Sequence, residues 1–362
     1  MPETQKNHRV AVIPGDGIGQ EVVPQGIRVL ERVAALYGIG FEWEVFDWGC
    51  ERYVLDGAMM PADGLEILSA HDSIYLGAVG LPGVPDHVSL WGLLIPIRRE
   101  FKQYINLRPI RTLRGVSSPL RDPAPIDMVV VRENNEGEYS EIGGRLYRGE
   151  GAELAVQESV FTRRGVSRAI RFACELAATR RSRIMSATKS NGIIHTMPFW
   201  DEIFAETVGC YPGLEAAQQH IDALAATFVL KPQTLDVVVA SNLFGDILTD
   251  LGAAIVGSIG IAPSANINPE RDHPSMFEPI HGSAPDIAGR GIANPIGQIW
   301  AGAMMLEHLG HADAAAAVLD AVERVLEARQ VRTPDLGGSA TGEELTDAIV
   351  EAIVPRSAAG AS

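Results

Sequence analysis

Two rhythms of apolar and polar residues run along this chain. Residues 9–13 form a short apolar stretch, then comes a glycine-rich turn, Gly15-Asp-Gly-Ile-Gly, and then residues 21–37, whose apolar positions recur at helical spacing. The same succession returns at residues 73–76 with 90–102, and at residues 236–240 with the run that begins at Ser241. Strand followed by helix, repeated, predicts an α/β fold with a largely parallel sheet. Between residues 138 and 161 the pattern changes. Gly143 and Gly144, with β-like runs at 145–147 and 154–156, predict hairpin structure there, a protruding arm or small sheet. Residues 314–330 are alanine-rich, with Asp313 placed to cap a helix and Val318, Leu319, Val322, Val325 and Leu326 along one packing stripe. No internal repeat interrupts the pattern, and the tail at residues 357–362 is expected to fray.

Composition narrows the class. A chain of 362 residues with 46% hydrophobic and 21% charged residues can bury a large core, enough for two domains or one large one. The polar start runs straight into an apolar strand, which implies no signal peptide. No apolar stretch approaches the roughly 18 residues of a membrane span, so a soluble protein is expected, with no membrane partner. Cys50, Cys174 and Cys210 are scattered and odd in number, as in a reducing cytoplasm. A net charge of −16 argues against a nucleic-acid partner, which needs a basic surface.

The chemistry begins with two carboxylates. Asp246 and Asp250 stand one helical turn apart in an otherwise apolar run, Ser241-Asn-Leu-Phe-Gly-Asp-Ile-Leu-Thr-Asp-Leu-Gly, which contains no lysine or arginine. Residues i and i+4 share a helix face, so the two like charges repel and lose water together. A hard divalent cation, Mg²⁺ or Mn²⁺, is the simplest explanation; a solvated helix face is the bland one. The glycine-rich turn is a decoy. A dinucleotide fingerprint needs glycine where Gln20 stands, and Asp16 would turn a negative charge toward a pyrophosphate, so the turn is read as a tight strand-to-helix connection and the fold as not a Rossmann fold.

Six segments together carry a resemblance: Ile13-Pro-Gly-Asp-Gly-Ile-Gly, Asn106-Leu-Arg-Pro, Val131-Arg-Glu-Asn-Asn-Glu-Gly-Glu-Tyr, Thr188-Lys-Ser-Asn, the aspartate run, and Glu278-Pro-Ile-His-Gly-Ser-Ala-Pro-Asp-Ile-Ala-Gly. In this order, over residues 10–350, the chain resembles the β-decarboxylating dehydrogenases, the family of isocitrate, 3-isopropylmalate and tartrate/D-malate dehydrogenases. The resemblance implies a two-domain α/β fold whose large domain is built from both chain ends. That domain would comprise residues 1–103 and 257–362 and carry the NAD loop. Residues 104–256 would form a smaller domain with the metal aspartates and an arm that makes a homodimer with shared active sites.

By the same resemblance, Arg98, Arg108 and Arg132 match the family's substrate arginines, whose planar forks suit a dicarboxylate. Tyr139 and Lys189 match its acid and base. Asp222 matches a third metal aspartate contributed by the other subunit, joining Asp246 and Asp250 around Mg²⁺ or Mn²⁺; K⁺ is a further candidate cation. The cofactor loop would be His281, Gly282, Ser283, Ala284, Pro285 and Asp286, with Asn294; Glu278 and Asn191 match positions near the nicotinamide. Asp286 would accept the ribose hydroxyls of NAD and repel the 2′-phosphate of NADP.

Substrate choice in this family turns on the helix before Arg98. Isocitrate-specific members place a serine and an asparagine where this chain has Gly92 and Leu94; 3-isopropylmalate enzymes use a leucine pair and a glutamate, where Leu94 and Ile95 stand with Trp91. By the same resemblance Trp91 would fill space near the C3 substituent, which favours a small one, although Pro96 is expected to interrupt the helix. The implied activity is NAD- and metal-dependent oxidative decarboxylation of D-malate to pyruvate and CO₂, with action on tartrate. 3-Isopropylmalate oxidation is the near alternative, and a catalytically silent regulatory subunit is the alternative of a different class.

Overall fold

The computed structural model describes residues 7–121 and 123–356. The expected fraying of residues 357–362 lies outside them. Strands follow in chain order as β1 (Asn7–Gly15), β2 (Gly40–Val45), β3 (Ser73–Ala78), β4 (Ile105–Arg111), β5 (Asp127–Glu133), β6 (Gly143–Leu146), β7 (Leu154–Gln157), β8 (Arg183–Thr188), β9 (Glu215–His220), β10 (Val237–Ala240), β11 (Pro263–Ile267) and β12 (Ser275–Pro279). The chain forms two compact units. One takes the described residues of Met1–Gln103, Thr112–Arg121 and Ala253–Ser362, the other those of Tyr104–Arg111 and Asp122–Gly252.

In the first unit the strands lie in the order β2-β1-β3-β12-β11, parallel except where β11 meets β12. In the second the order is β4-β5-β10-β8-β9, parallel except where β4 meets β5. Strands β3, β10, β11 and β12 are buried along their whole length, because helices cover both faces of such sheets. The core of the first unit gathers Ala11, Ile13, Ile74, Leu76, Leu93 and Phe101; the second buries the valines of β5 and β10, Trp200 and Phe228. β6 and β7 pair antiparallel, as the sequence predicts, and every residue of both is exposed.

Two local expectations are corrected. The alanine-rich helix spans Ala312–Ala328 with His311 at its N-cap and no side-chain cap hydrogen bond from it; Asp313 sits in the first turn instead of at the cap. Its buried stripe runs through Val318, Val322 and Leu326 but also through Ala314, Ala317 and Ala321, small residues that allow close approach. Pro96 does not stop its helix either. The chain stays helical from Asp86 to Glu100, and the disturbance appears as a π-turn at Leu90–Leu94, where the Ile95 amide donates to the Leu90 carbonyl. Proline has no N–H to offer and its ring clashes with the carbonyl four residues back, so widening the turn before it lets the helix continue.

Candidate active site

β10 ends at Ala240 and the chain enters the aspartate helix, Asn242–Ile255, almost at once. Asn242, Asp246, Thr249 and Asp250 fall at i, i+4, i+7 and i+8, one polar stripe on an otherwise apolar helix. The register decides what the stripe meets. Ala240 lies opposite Arg132 of β5, and β5 pairs with β4, which carries Arg108. Both guanidinium groups therefore reach the helix. Arg132 donates to Asp246 through Nη1 and to Asn242 Oδ1 through Nε and Nη2, at 3.0 and 2.6 Å. Arg108 Nη1 donates to Asp246 Oδ1 at 3.3 Å and to Thr249 Oγ1 at 2.6 Å, and stands 3.9 Å from Asp250 Oδ1. Two arginines from neighbouring strands thus supply the positive charge that the aspartate run itself lacks.

Tyr139 joins the same carboxylate. Its hydroxyl donates to Asp246 Oδ2 at 3.2 Å, and the Arg132 guanidinium lies 5.6 Å from its ring centroid. Asp250 is the more open of the two aspartates; loss of water raises its pKa above the ordinary carboxylate value, Arg108 opposes this and Asp246 adds to it. Lys189 Nζ donates to Asp222 Oδ1 at 2.5 Å, which holds the Asp222 carboxyl below its usual range. Among the described residues, no three His, Cys, Asp or Glu side chains gather closely enough to hold a metal ion, so Asp222 does not join Asp246 and Asp250 within one chain. Asn191 is exposed in the turn after Lys189.

The remaining predicted residues lie in the first unit. Arg98 and Glu278 are both buried and pair at 2.9 Å, with Asn266 donating to the same Glu278 oxygen at 2.6 Å. Trp91 and Leu94 belong to the π-turn, and the Arg99 guanidinium lies 4.9 Å from the Trp91 ring centroid. In the loop after β12, His281 Nδ1 contacts the Gly282 carbonyl, while Nε2 is buried without a hydrogen-bond partner; burial lowers the imidazole pKa, which the Gly282 carbonyl and Asp335 oppose. Ala284 adopts φ +40, and Gly282, Pro285 and Asp286 are exposed. Asn294 uses both ends of its amide on the fold, donating to Asp335 and accepting from the Ile296 amide.

The glycine-rich turn packs on this loop. The Ile18 amide donates to the Ser283 carbonyl at 2.9 Å, and a Cβ on Gly17, at φ +56, would lie 2.1 Å from that same oxygen. Asp16 is buried and accepts backbone N–H groups from Cys50 and Gly80, so its charge is committed to loop structure.

Comparison with known proteins fixes the family. The family model described as isocitrate/isopropylmalate dehydrogenase matches residues 9–353. The chain belongs to the isocitrate/isopropylmalate dehydrogenase family. It is an oxidoreductase on that ground, and the two-domain α/β fold expected from the sequence is the family's fold. It is 56% identical to a probable tartrate dehydrogenase/decarboxylase of Bacillus subtilis, over 96% of this chain and 98% of that one. It is 55% identical to the decarboxylating D-malate dehydrogenase of Escherichia coli, over 96% and 99%. The crystal structure of isocitrate dehydrogenase from Methylococcus capsulatus superposes with a TM-score of 0.87 at 34% identity, over 96% and 99%.

Within this dehydrogenase three residues of the aspartate helix escaped the sequence reading: Asn242 and Thr249, which hold the two arginines, and Gly245, whose missing Cβ would lie 2.7 Å from Arg132 Cβ. The polar stripe on the helix was the available signal for the first two; a glycine just before Asp246 was the signal for the third.

Proposed function

We propose that this dehydrogenase oxidises and decarboxylates D-malate to pyruvate and CO₂ with NAD and Mg²⁺ or Mn²⁺, and that it acts also on tartrate. The observation that carries the reading is the convergence of Arg108, Arg132 and Tyr139 on Asp246: two buried cationic forks and a phenol beside an acidic helix. The names of its relatives, tartrate dehydrogenase/decarboxylase and D-malate dehydrogenase, support the substrate class.

The residues fit both groups that the activity needs. Asp246 and Asp250 offer hard oxygen donors from one helix face, and the Asp250 side chain is 61% exposed. Asp222 would complete the set from a partner subunit, and its ion pair with Lys189 supports a reading in which one subunit would supply both. In the loop, His281 offers a ring with an unpaired Nε2 and Asp286 an exposed carboxylate, groups suited to an adenosine with free ribose hydroxyls. Glu278, Asn191 and Asn294 are assigned to the surroundings of the cofactor, Asn294 as a support of the loop. When bound, NAD accepts hydride, and the cation supplies positive charge that acidifies the C2 hydroxyl.

The chain's own residues do the rest. Arg98, Arg108 and Arg132 bind the substrate carboxylates as bidentate forks. Lys189 takes the C2 hydroxyl proton as hydride leaves C2. The product keto acid carries a carboxylate β to its new ketone; loss of CO₂ leaves an electron pair at C3, which Tyr139 protonates. Trp91 and Leu94 limit the C3 substituent to hydrogen or hydroxyl.

A second copy of the chain is part of the reading. Ile142, Leu146, Tyr147, Leu154 and Val156, on or beside the β6–β7 hairpin, expose apolar side chains that a homodimer would cover. Location in the cytoplasm agrees with three free cysteines.

The test is steady-state kinetics with NAD and Mn²⁺ on D-malate, L-tartrate, meso-tartrate and 3-isopropylmalate, with K⁺ exchanged for Na⁺ in a parallel series. D-Malate is expected to be the fastest substrate; faster turnover of 3-isopropylmalate overturns the choice, and no turnover of any acid supports a silent subunit. Tyr139→Phe is expected to keep an initial burst of NADH while slowing steady pyruvate formation about 10²- to 10⁴-fold. Wild-type steady turnover in that variant removes Tyr139 from the mechanism.

A further inference from the structure

Between Arg132 and Tyr139 stand three glutamates, Glu133, Glu136 and Glu138. Each accepts backbone N–H groups from a different place. Glu133 takes the amides of Asn135 and Glu136 in its own turn, and Glu136 takes the Thr162 amide and hydroxyl ahead of the helix Arg163–Ala178. Glu138 reaches the aspartate helix: Oε1 accepts from Ser241 Oγ at 2.8 Å and Oε2 from the Leu243 amide at 3.0 Å.

That last arrangement is unusual in what it replaces. A serine in the position of Ser241 can cap a helix by accepting an amide from its first turn. Here Ser241 gives its hydroxyl to Glu138, and a carboxylate 105 residues away in sequence takes the Leu243 amide. Helix stability alone does not require this exchange, since the local cap would serve it. The exchange instead ties the helix to the Tyr139 loop. Glu138 holds the helix at Leu243, and Tyr139, the next residue, holds it one turn further on at Asp246. Gly137, at φ +82 and bridged to Val160, fixes the approach of the two-residue clamp.

We propose that Glu138 is a positioning residue for the reaction: by capping the aspartate helix from the loop that carries Tyr139, it sets the Tyr139 hydroxyl against Asp246 and so aims the proton delivered to C3. The inference rests on the roles given above to Tyr139 and the aspartate helix. It makes no demand on the charge of Glu138 beyond its two contacts. A glutamine there can accept from Leu243 N–H with its carbonyl and donate to Ser241 Oγ with its amide.

Glu138→Ala and Glu138→Gln are therefore compared by kinetics and by amide hydrogen exchange of the ligand-free protein. Glu138→Ala is expected to lower kcat on D-malate about 10- to 100-fold with KM for NAD unchanged, and Glu138→Gln to recover it to within about threefold of wild type. Exchange is expected to quicken in Glu138→Ala at residues 243–246 and to stay as in wild type in the helix Arg163–Ala178. A kcat for Glu138→Ala close to wild type, equal losses in both variants, or faster exchange spread over both helices overturns the inference. The exchange readout uses no substrate. If the wild-type protein turns over none of the acids, the functional reading falls, while local quickening still upholds the cap and unchanged exchange refutes it.

Discussion

Glu133 ends β5 completely buried, with its two backbone amide donors and the Arg168 guanidinium 3.9 Å away. Burial pushes its carboxyl pKa up to about 7 against the ordinary 4.5; the amides of Glu136 and Asn135 resist the rise, the Glu136 charge adds to it, and Arg168 opposes it. The native state therefore holds a proton between these two values that the unfolded chain has released. Its contribution to stability is complete below 4.5 and is lost as pH rises through 7. Over that window the loss amounts to about 3 kcal/mol. Urea unfolding at about pH 5 and about pH 8 should show wild type losing stability relative to Glu133→Gln by that order; parallel pH dependence in the two proteins would contradict it. Nothing in the sequence separates Glu133 from Glu136 and Glu138, because their partners lie up to 105 residues away along the chain. Asp246, by contrast, was legible as a functional candidate from its spacing to Asp250, although the arginines that balance it were not visible as its partners.

Elements carry more of themselves in the sequence than single residues do. The aspartate helix, the hairpin and the strand-helix alternation follow from periodicity, which is local; the π-turn and the corrected cap of Ala312–Ala328 depend on how the chain resolves competing local demands. Close approach between elements is the least legible, and Gly245 shows why. Placed alone on a helix, an alanine would be favoured over glycine by about 1 kcal/mol. Against β5 the added methyl would lie 2.7 Å from Arg132 Cβ and Cγ, atoms fixed near the backbone that cannot swing aside. The helix would have to retreat, at about 1–3 kcal/mol, drawing Asn242 and Asp246 away from Arg132. Gly245→Ala is therefore expected to be less stable than wild type and to raise KM for the hydroxy acid more than KM for NAD. Denaturation midpoints and the two Michaelis constants decide it, and a variant more stable than wild type would mean that propensity outweighs the contact.

At the scale of the whole molecule the two units divide the proposed work. The first holds the loop assigned to NAD, and the second holds the aspartate helix with Arg108, Arg132 and Tyr139. What one chain does not assemble, among the described residues, is the proposed metal set: Asp222 is paired with Lys189 and does not gather with Asp246 and Asp250. If two subunits complete each other's sites, Lys189 and Asp222 travel together from one and Asp246 and Asp250 come from the other. Complementation tests this directly. Lys189→Ala and Asp246→Asn should each abolish turnover alone, since every site in either homodimer lacks one essential group. In a hybrid dimer one site would receive both damaged residues and the other neither. Random reassortment makes half the dimers hybrids with one intact site in two, so a mixture unfolded and refolded together should regain about a quarter of wild-type activity. Sites built within single chains would leave every site in the hybrid with one defect, and the refolded mixture would stay inactive.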